Sequence, residues 1–168
     1  NISLDGYVDH EHFAPDPELF RHWIDQVGNA ATSIYGRRTY EIMRYWEEDQ
    51  PEWSRDDLAF AQAWRAQHKY VVSRTLAAVG PNATLISRDI DARLRALKDT
   101  LPGQVDISGT LLADSLARLG LMDEYRLYYH PVVLGRGKPM FPGPLPRLHL
   151  RDSLRIGPSV LRLDYTTG

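Results

Sequence analysis

Short apolar runs rich in β-branched and aromatic residues alternate along the chain with stretches of helical period. "PDPELFRHWIDQVGNA" places Phe20, Trp23, Ile24 and Val27 at helical spacing. Asp16 stands as its N-cap and Pro17 in its first turn. "TSIYG" then predicts a buried strand and "RRTYEIMRYW" a short helix. "RDDLAFAQAWRAQ" predicts a helix and "KYVVS" a strand. "DIDARLRALKDTL" predicts a helix with Ile90, Leu94, Leu97 and Leu101 on one face. "QVDIS" reads as a strand, and "TLLADSLARLG" as a helix closed by Gly120. "LMDEYRLYYHPVVLG" predicts a long strand and "GRGKPMFPGPLP" a loop. "LHLRDSLRIGPSVLRLDYTT" predicts two strands joined by a turn near Gly157-Pro158. The opening "NISLDGYVDH", which lacks a methionine, reads as the tail of a strand whose first few residues lie upstream.

Strands separated by crossover helices predict an α/β fold, with a mostly parallel sheet and an antiparallel C-terminal edge. No linker or repeat interrupts residues 1–168, so one domain is expected. The charge is nearly balanced, 20 basic against 22 acidic residues, which removes the basic excess that nucleic acid would demand. An anionic ligand must therefore be held by a local arrangement. Cysteine is absent, which excludes thiolate metal sites and a cysteine nucleophile, and fits a reducing cytoplasm. No apolar run approaches the roughly 20 residues of a membrane span.

In open α/β sheets, ligands bind beyond the carboxyl ends of strands, where helix N-termini point. Three such corners carry suggestive residues. Gly36-Arg37-Arg38-Thr39 combines a glycine for close approach with guanidinium groups that grip phosphate. Ser73-Arg74-Thr75 has the same ingredients but leads into a loop, and Ser108-Gly109-Thr110 opens the helix at Leu111. Each corner alone is a weak signal, more often a solvated helix start or a cap than a phosphate site. Together they could supply the several phosphate donors that a dinucleotide needs.

G-x-G-x-x-G is absent. "GRGKP" copies the end of a P-loop, but Pro139 stands where Ser or Thr is needed and Val132 where the first glycine belongs, so Gly135–Pro139 reads as a flexible loop. His10 and His12 in "HEH" lack a third ligand nearby, and no metal site is expected. "YWEEDQPEW" could lie over a ligand or simply pack on the surface.

The ordered set "SLDGYV", "YGRRTYE", "VVSRTL", "DISGTLLADSL" and "GLMDEYRLYYHPVVLGRGKPMF" resembles the dihydrofolate reductase-like family related to the C-terminal reductase domain of RibD, a riboflavin-biosynthesis protein. The resemblance runs from Ser3 to about Tyr165. It implies a three-layer α/β/α fold of dihydrofolate reductase type and NADPH as cofactor. Gly36, Arg37, Arg38 and Thr39 would then lie on the cofactor phosphates. Ser73, Arg74 and Thr75 would lie near the adenosine 2′-phosphate, and Ser108, Gly109, Thr110 and Leu111 beside the pyrophosphate. Asp5 would be the carboxylate near the nicotinamide and substrate, although Asp5-Gly6 is also an ordinary turn signal. The third corner departs from the family, which carries two or three glycines where this chain has Ser108 and Thr110 around Gly109.

The implied activity is reduction of a small heterocycle, as by 5-amino-6-(5-phosphoribosylamino)uracil reductase. Dihydrofolate reduction and non-catalytic nucleotide binding stand as alternatives. A homodimer, through the strand near Tyr125 to Val133, is a further expectation.

Overall fold

A computed structural model describes residues 1–9 and 11–168. In chain order the elements are β1 (Ile2–Ser3), β2 (Tyr7–Val8), α1 (Pro17–Asn29), β3 (Thr32–Gly36), α2 (Arg37–Met43) continuing into a 3-10 turn (Arg44–Glu47), and α3 (Arg55–Ala66). There follow β4 (Lys69–Val72), β5 (Ala83–Ile86), α4 (Ile90–Thr100), β6 (Val105–Ser108), α5 (Thr110–Arg118), β7 (Glu124–His130), β8 (Lys138–Pro139), β9 (His149–Ile156) and β10 (Val160–Thr166). The chain gathers into two compact units, one of Asn1–Phe20 with Asp114–Gly168, the other of Arg21–Ala113.

In the unit 21–113, four parallel strands run in the order β5-β4-β3-β6. β3 is an interior strand buried along Thr32–Tyr35, the hydroxyls of Thr32 and Ser33 being hydrogen-bonded to His68 O and Gln67 Oε1. Tyr35, Tyr40 and Val71 form a core with Met43, Leu76, Val79 and Ala83 against them. On α4, Leu94 is buried and Ile90 and Leu97 are half-buried, the face set by their spacing. The Ser54 hydroxyl accepts from Asp57 N while the Asp57 carboxylate accepts from Ser54 N, a capping box that starts α3. Strand β5 has no counterpart among the expected elements. Its four residues, "ATLI", are too few to establish a period, and pairing with β4 creates it.

In the other unit, β1, β7, β10 and β9 form a sheet in that order, parallel at β1–β7 and antiparallel elsewhere. Ile2, Tyr125 and Leu127 are its buried centre, covered by Met122, Tyr129, Met140, Phe141, Leu145, Leu148 and Tyr165. β7 ends at His130, where Pro131 removes a ladder donor. β10 pairs with β7 from Glu124 to Tyr129, and β1 with Tyr129 and His130. The edge strands of this sheet are β1 and β9. Asp16 caps α1 as its position predicts, its carboxylate accepting from Glu18 N at 2.8 Å and Leu19 N at 2.9 Å. The same carboxylate lies where a Cβ on Gly157 would be, in the turn between β9 and β10.

Lys69 is 1 % exposed, with Nζ donating to Gln67 O at 2.6 Å and lying 4.3 Å from the Trp64 ring centroid. Burial pulls its pKa down to about 8, only partly opposed by Glu47.

Two stability predictions follow from these contacts. Gly157→Ala meets both a left-handed φ of 60° and the Asp16 carboxylate, and should cost roughly 1–3 kcal/mol in urea unfolding. Between pH 8 and 10.5 the unfolded chain holds the Lys69 proton that the folded chain has released, so stability rises with pH in that window. Compared with Lys69→Met across pH 7 to 10, the native protein should gain about 2–3 kcal/mol, since roughly 2 pH units of that window lie above pH 8, at 1.36 kcal/mol each. Parallel curves would show that Lys69 carries no such linkage.

Candidate functional site

The parallel register brings the corners together. Tyr35 stands opposite Ser108, and Gly36 opposite Val72, so the carboxyl ends of β4, β3 and β6 share one sheet edge. Ser73-Arg74-Thr75, Gly36-Arg37-Arg38-Thr39 and Ser108-Gly109-Thr110 therefore follow one another along that edge. Arg37 Nη1 donates to Thr75 Oγ1 at 3.4 Å, linking the first two corners. The Gly36 and Gly109 corners meet through their glycines: a Cβ on Gly109 would lie 3.4 Å from Thr39 Oγ1 and 3.6 Å from Gly36 N.

The glycines differ in what they require. Gly109 has φ 120°, which L side chains rarely adopt, so the one position that demands glycine has it despite Ser108 and Thr110. Gly36, by contrast, sits at φ −73°, ψ 159°, and a Cβ there would meet only Leu112 Cβ and Ser108 O at 3.9 Å. Neither conformation nor packing calls for glycine at 36. What its absent side chain leaves is open approach to the backbone.

Gly109 O accepts from Ala113 N at 2.9 Å and begins α5. Thr110, the first residue of that helix, is 8 % exposed, and its Oγ1 is buried without a hydrogen-bond partner. Leu111 is 66 % exposed and can contribute only its backbone. Arg38 and Arg74 are exposed, and neither forms an ion pair among the described residues. Arg37 lies 3.9 Å from Glu41. Ser73 is spent locally, its hydroxyl accepting from Thr75 N at 3.2 Å and Leu76 N at 3.1 Å, so it shapes its corner.

Asp5 lies in the other unit. Ser3 Oγ donates to Oδ1 at 2.6 Å, Leu134 N to Oδ1 at 3.1 Å, and Gly135 N to Oδ2 at 2.7 Å. The Ser3 hydrogen bond, helped by those to Gly135 and Leu134, holds its pKa below the ordinary aspartate value. The carboxylate is thus ionised at neutral pH. Ser3 and the two amides were invisible as partners in the sequence, because they are either a buried hydroxyl or backbone far along the chain.

Of the histidine pair, His10 lies outside the described residues, and His12 Nδ1 is 2.9 Å from Asp9 Oδ1. No group of three potential ligands that could hold a metal occurs among the described residues. The rings of "YWEEDQPEW" pack on one another, with Trp46 5.0 Å from Trp53 and 4.7 Å from Phe60, and Trp53 Nε1 donates to Tyr45 OH. No helix among the described residues is long and apolar enough to cross a membrane.

The fold is an α/β fold of the dihydrofolate reductase type. It aligns with a putative riboflavin biosynthesis protein from Shewanella sp. PV-4 at a TM-score of 0.71 and 20% identity, over 98% of this chain and 94% of that one. Against dihydrofolate reductase from Enterococcus faecalis complexed with NADP(H), the values are 0.66 and 12%, over 98% and 91%. A third is the Thermotoga maritima diaminohydroxyphosphoribosylaminopyrimidine deaminase/5-amino-6-(5-phosphoribosylamino)uracil reductase. It aligns at 0.65 and 14%, over 98% of this chain and 54% of that one. Residues 1–161 match the RibD C-terminal domain, and the chain belongs to that family. It is also 32% identical over 162 residues to the uncharacterized protein YyaP of Bacillus subtilis (strain 168), covering 89% of this chain and 81% of YyaP.

Because the two glycines meet different demands, their alanine variants should part. Gly109→Ala should lower stability by about 1–2 kcal/mol in urea unfolding, whereas Gly36→Ala should leave it nearly unchanged. Equal losses would mean that both glycines serve the fold.

Proposed function

We propose that this chain is an NADPH-dependent reductase of a small heterocyclic substrate, of the 5-amino-6-(5-phosphoribosylamino)uracil reductase type. The observation that carries this reading is the convergence of three strand ends, two of them opening helices, at one sheet edge, with a buried, unpartnered Thr110 hydroxyl among them. A phosphate oxygen is the acceptor such a hydroxyl lacks. Gly36 leaves room for close approach, and α5 begins at the same edge with its N-terminal end.

These residues fit the cofactor. The backbone of Gly36–Thr39 and Ser108–Leu111, with the Thr110 hydroxyl, would hold its pyrophosphate. Arg74, with Thr75 beside it, would meet the adenosine 2′-phosphate, and Arg38 adds a second uncommitted guanidinium. When bound, NADPH supplies the hydride. The protein orients it and keeps competing reactions out. Asp5, held ionised by its three donors, is poorly suited to give a proton, so water is the proposed proton source.

The test is titration of the protein with NADPH and with NADH, followed by tryptophan fluorescence. NADPH should bind at least tenfold tighter. Arg74→Ala should erase most of that preference, a loss of about 1–3 kcal/mol for a charge-assisted contact. Indifference to the 2′-phosphate would remove Arg74 from the site, and failure to bind either nucleotide would sink the whole reading. With binding in hand, NADPH consumption with aminopyrimidines and with dihydrofolate separates the substrate classes. Binding without turnover of any would leave a nucleotide-binding protein.

A further inference from the structure

The Gly-Arg-Gly-Lys loop, which partly copies a P-loop, lies in the unit that holds Asp5. The flexible loop expected there is instead fixed along its length. The Asp5 carboxylate takes the successive amides of Leu134 and Gly135. Met140 N donates to Gly6 O at 2.9 Å, and β8 pairs with β2, Val8 opposite Lys138 and Tyr7 opposite Pro139.

Gly135 and Gly137 take φ 72° and 146°, conformations that only glycine adopts readily. The bare Cα of Gly137 lies on Tyr7, where a Cβ would come within 3.5 Å of the Tyr7 side chain. Between and after these glycines stand Arg136 and Lys138. Both are exposed, and neither forms an ion pair among the described residues. Arg118, Arg162 and Arg151 of this unit pair with Asp114, Asp164 and Glu124, while Arg147 and Arg155 are exposed like Arg136 but stand away from the loop in sequence.

We propose that Leu134–Lys138 is an anion-binding loop, shaped by Asp5, that takes the phosphate group of a small phosphorylated ligand other than the cofactor. Two cations two residues apart, on a backbone fixed before binding, hold a dianion without the ordering cost that a mobile loop would incur. Asp5 acts here as a positioning residue. Its negative charge opposes an incoming anion, yet its hydrogen bonds set the loop that presents the cations. Identifying the ligand as the substrate rests on the reductase reading, whereas the anion site does not.

The experiment is a titration of the isotope-labelled full chain with inorganic phosphate, balanced with chloride to constant ionic strength and followed by amide NMR shifts. Saturable shifts confined to residues 134–138 are expected. Arg136→Ala with Lys138→Ala should weaken phosphate at least tenfold, and Arg147→Ala with Arg155→Ala, equally exposed elsewhere in the unit, should not.

The sign of the Asp5→Asn effect is the sharpest readout. Removing a negative charge would tighten phosphate if Asp5 were merely a neighbour, whereas loss of positioning weakens it several-fold. Ser3→Ala, which keeps the charge but removes its hydroxyl partner, should weaken it too, and serves if Asp5→Asn does not fold. Shifts spread over the surface, tighter binding by Asp5→Asn, or no binding would overturn the proposal. So would phosphate signals abolished by saturating NADP+, since the loop would then belong to the cofactor. Failure of NADP+ to bind at all would sink the cofactor assignment and leave the phosphate result standing.

Discussion

The unit that carries the candidate site depends on the parallel register of β3 with both its neighbours. Because Tyr35 faces Ser108 and Gly36 faces Val72, three chain reversals separated by dozens of residues are forced onto one edge. A one-residue slip on either side would turn every side chain of that strand to the opposite face. The burial of Thr32, Ser33, Ile34 and Tyr35 makes such a slip costly. Gly109 sits hard against Gly36 and Thr39, so the register also sets how closely two of the reversals approach.

The two ends of this parallel sheet are built differently. At the amino ends, Thr32 Oγ1 donates to His68 O at 2.6 Å and Ser33 Oγ to Gln67 Oε1 at 2.7 Å. The Gln67 amide in turn reaches Val27 O and Ala30 O at 3.2 Å. Lys69 joins the same network through Gln67 O. Buried polar groups there are matched with one another, which favours a single packed arrangement. At the carboxyl ends the accounting is left open, with a buried hydroxyl lacking an acceptor, two exposed guanidinium groups lacking an anion, and a glycine the backbone does not need. Stability concentrates at one end and unmet bonding capacity at the other, a division that suits a sheet with a ligand-facing edge.

Asp5 illustrates how one residue can be read two ways. As an aspartate before a glycine it is an ordinary turn residue, and as a member of "SLDG" it is a carboxylate expected near the reacting groups. Its geometry adds a third role, an acceptor for amides about 130 positions away. Those contacts keep it ionised and turn a loop with two left-handed glycines into a fixed element.

The sequence alone determined the class of fold and its longer elements, because periodicity and capping are local, whereas the short strands β2, β5 and β8 left no such mark. Phe20 to Val27 announced α1, Asp16 its start, Gly120 the end of α5, and Gly157-Pro158 the last hairpin. It also singled out the three corners, since glycine, serine, threonine and arginine at strand ends are visible as letters. Tertiary structure decided what those letters do. β5 exists because β4 pairs with it, β7 is shorter than its apolar run because Pro131 breaks the ladder, and the Ser73 hydroxyl is consumed by its own turn. The roles of Gly36 and Gly109, alike on paper, separate only through φ and the neighbours a Cβ would meet. Long-range pairing of this kind leaves no periodic mark on the chain, because each partner satisfies its own local rules and the contact is made only when the sheet register closes.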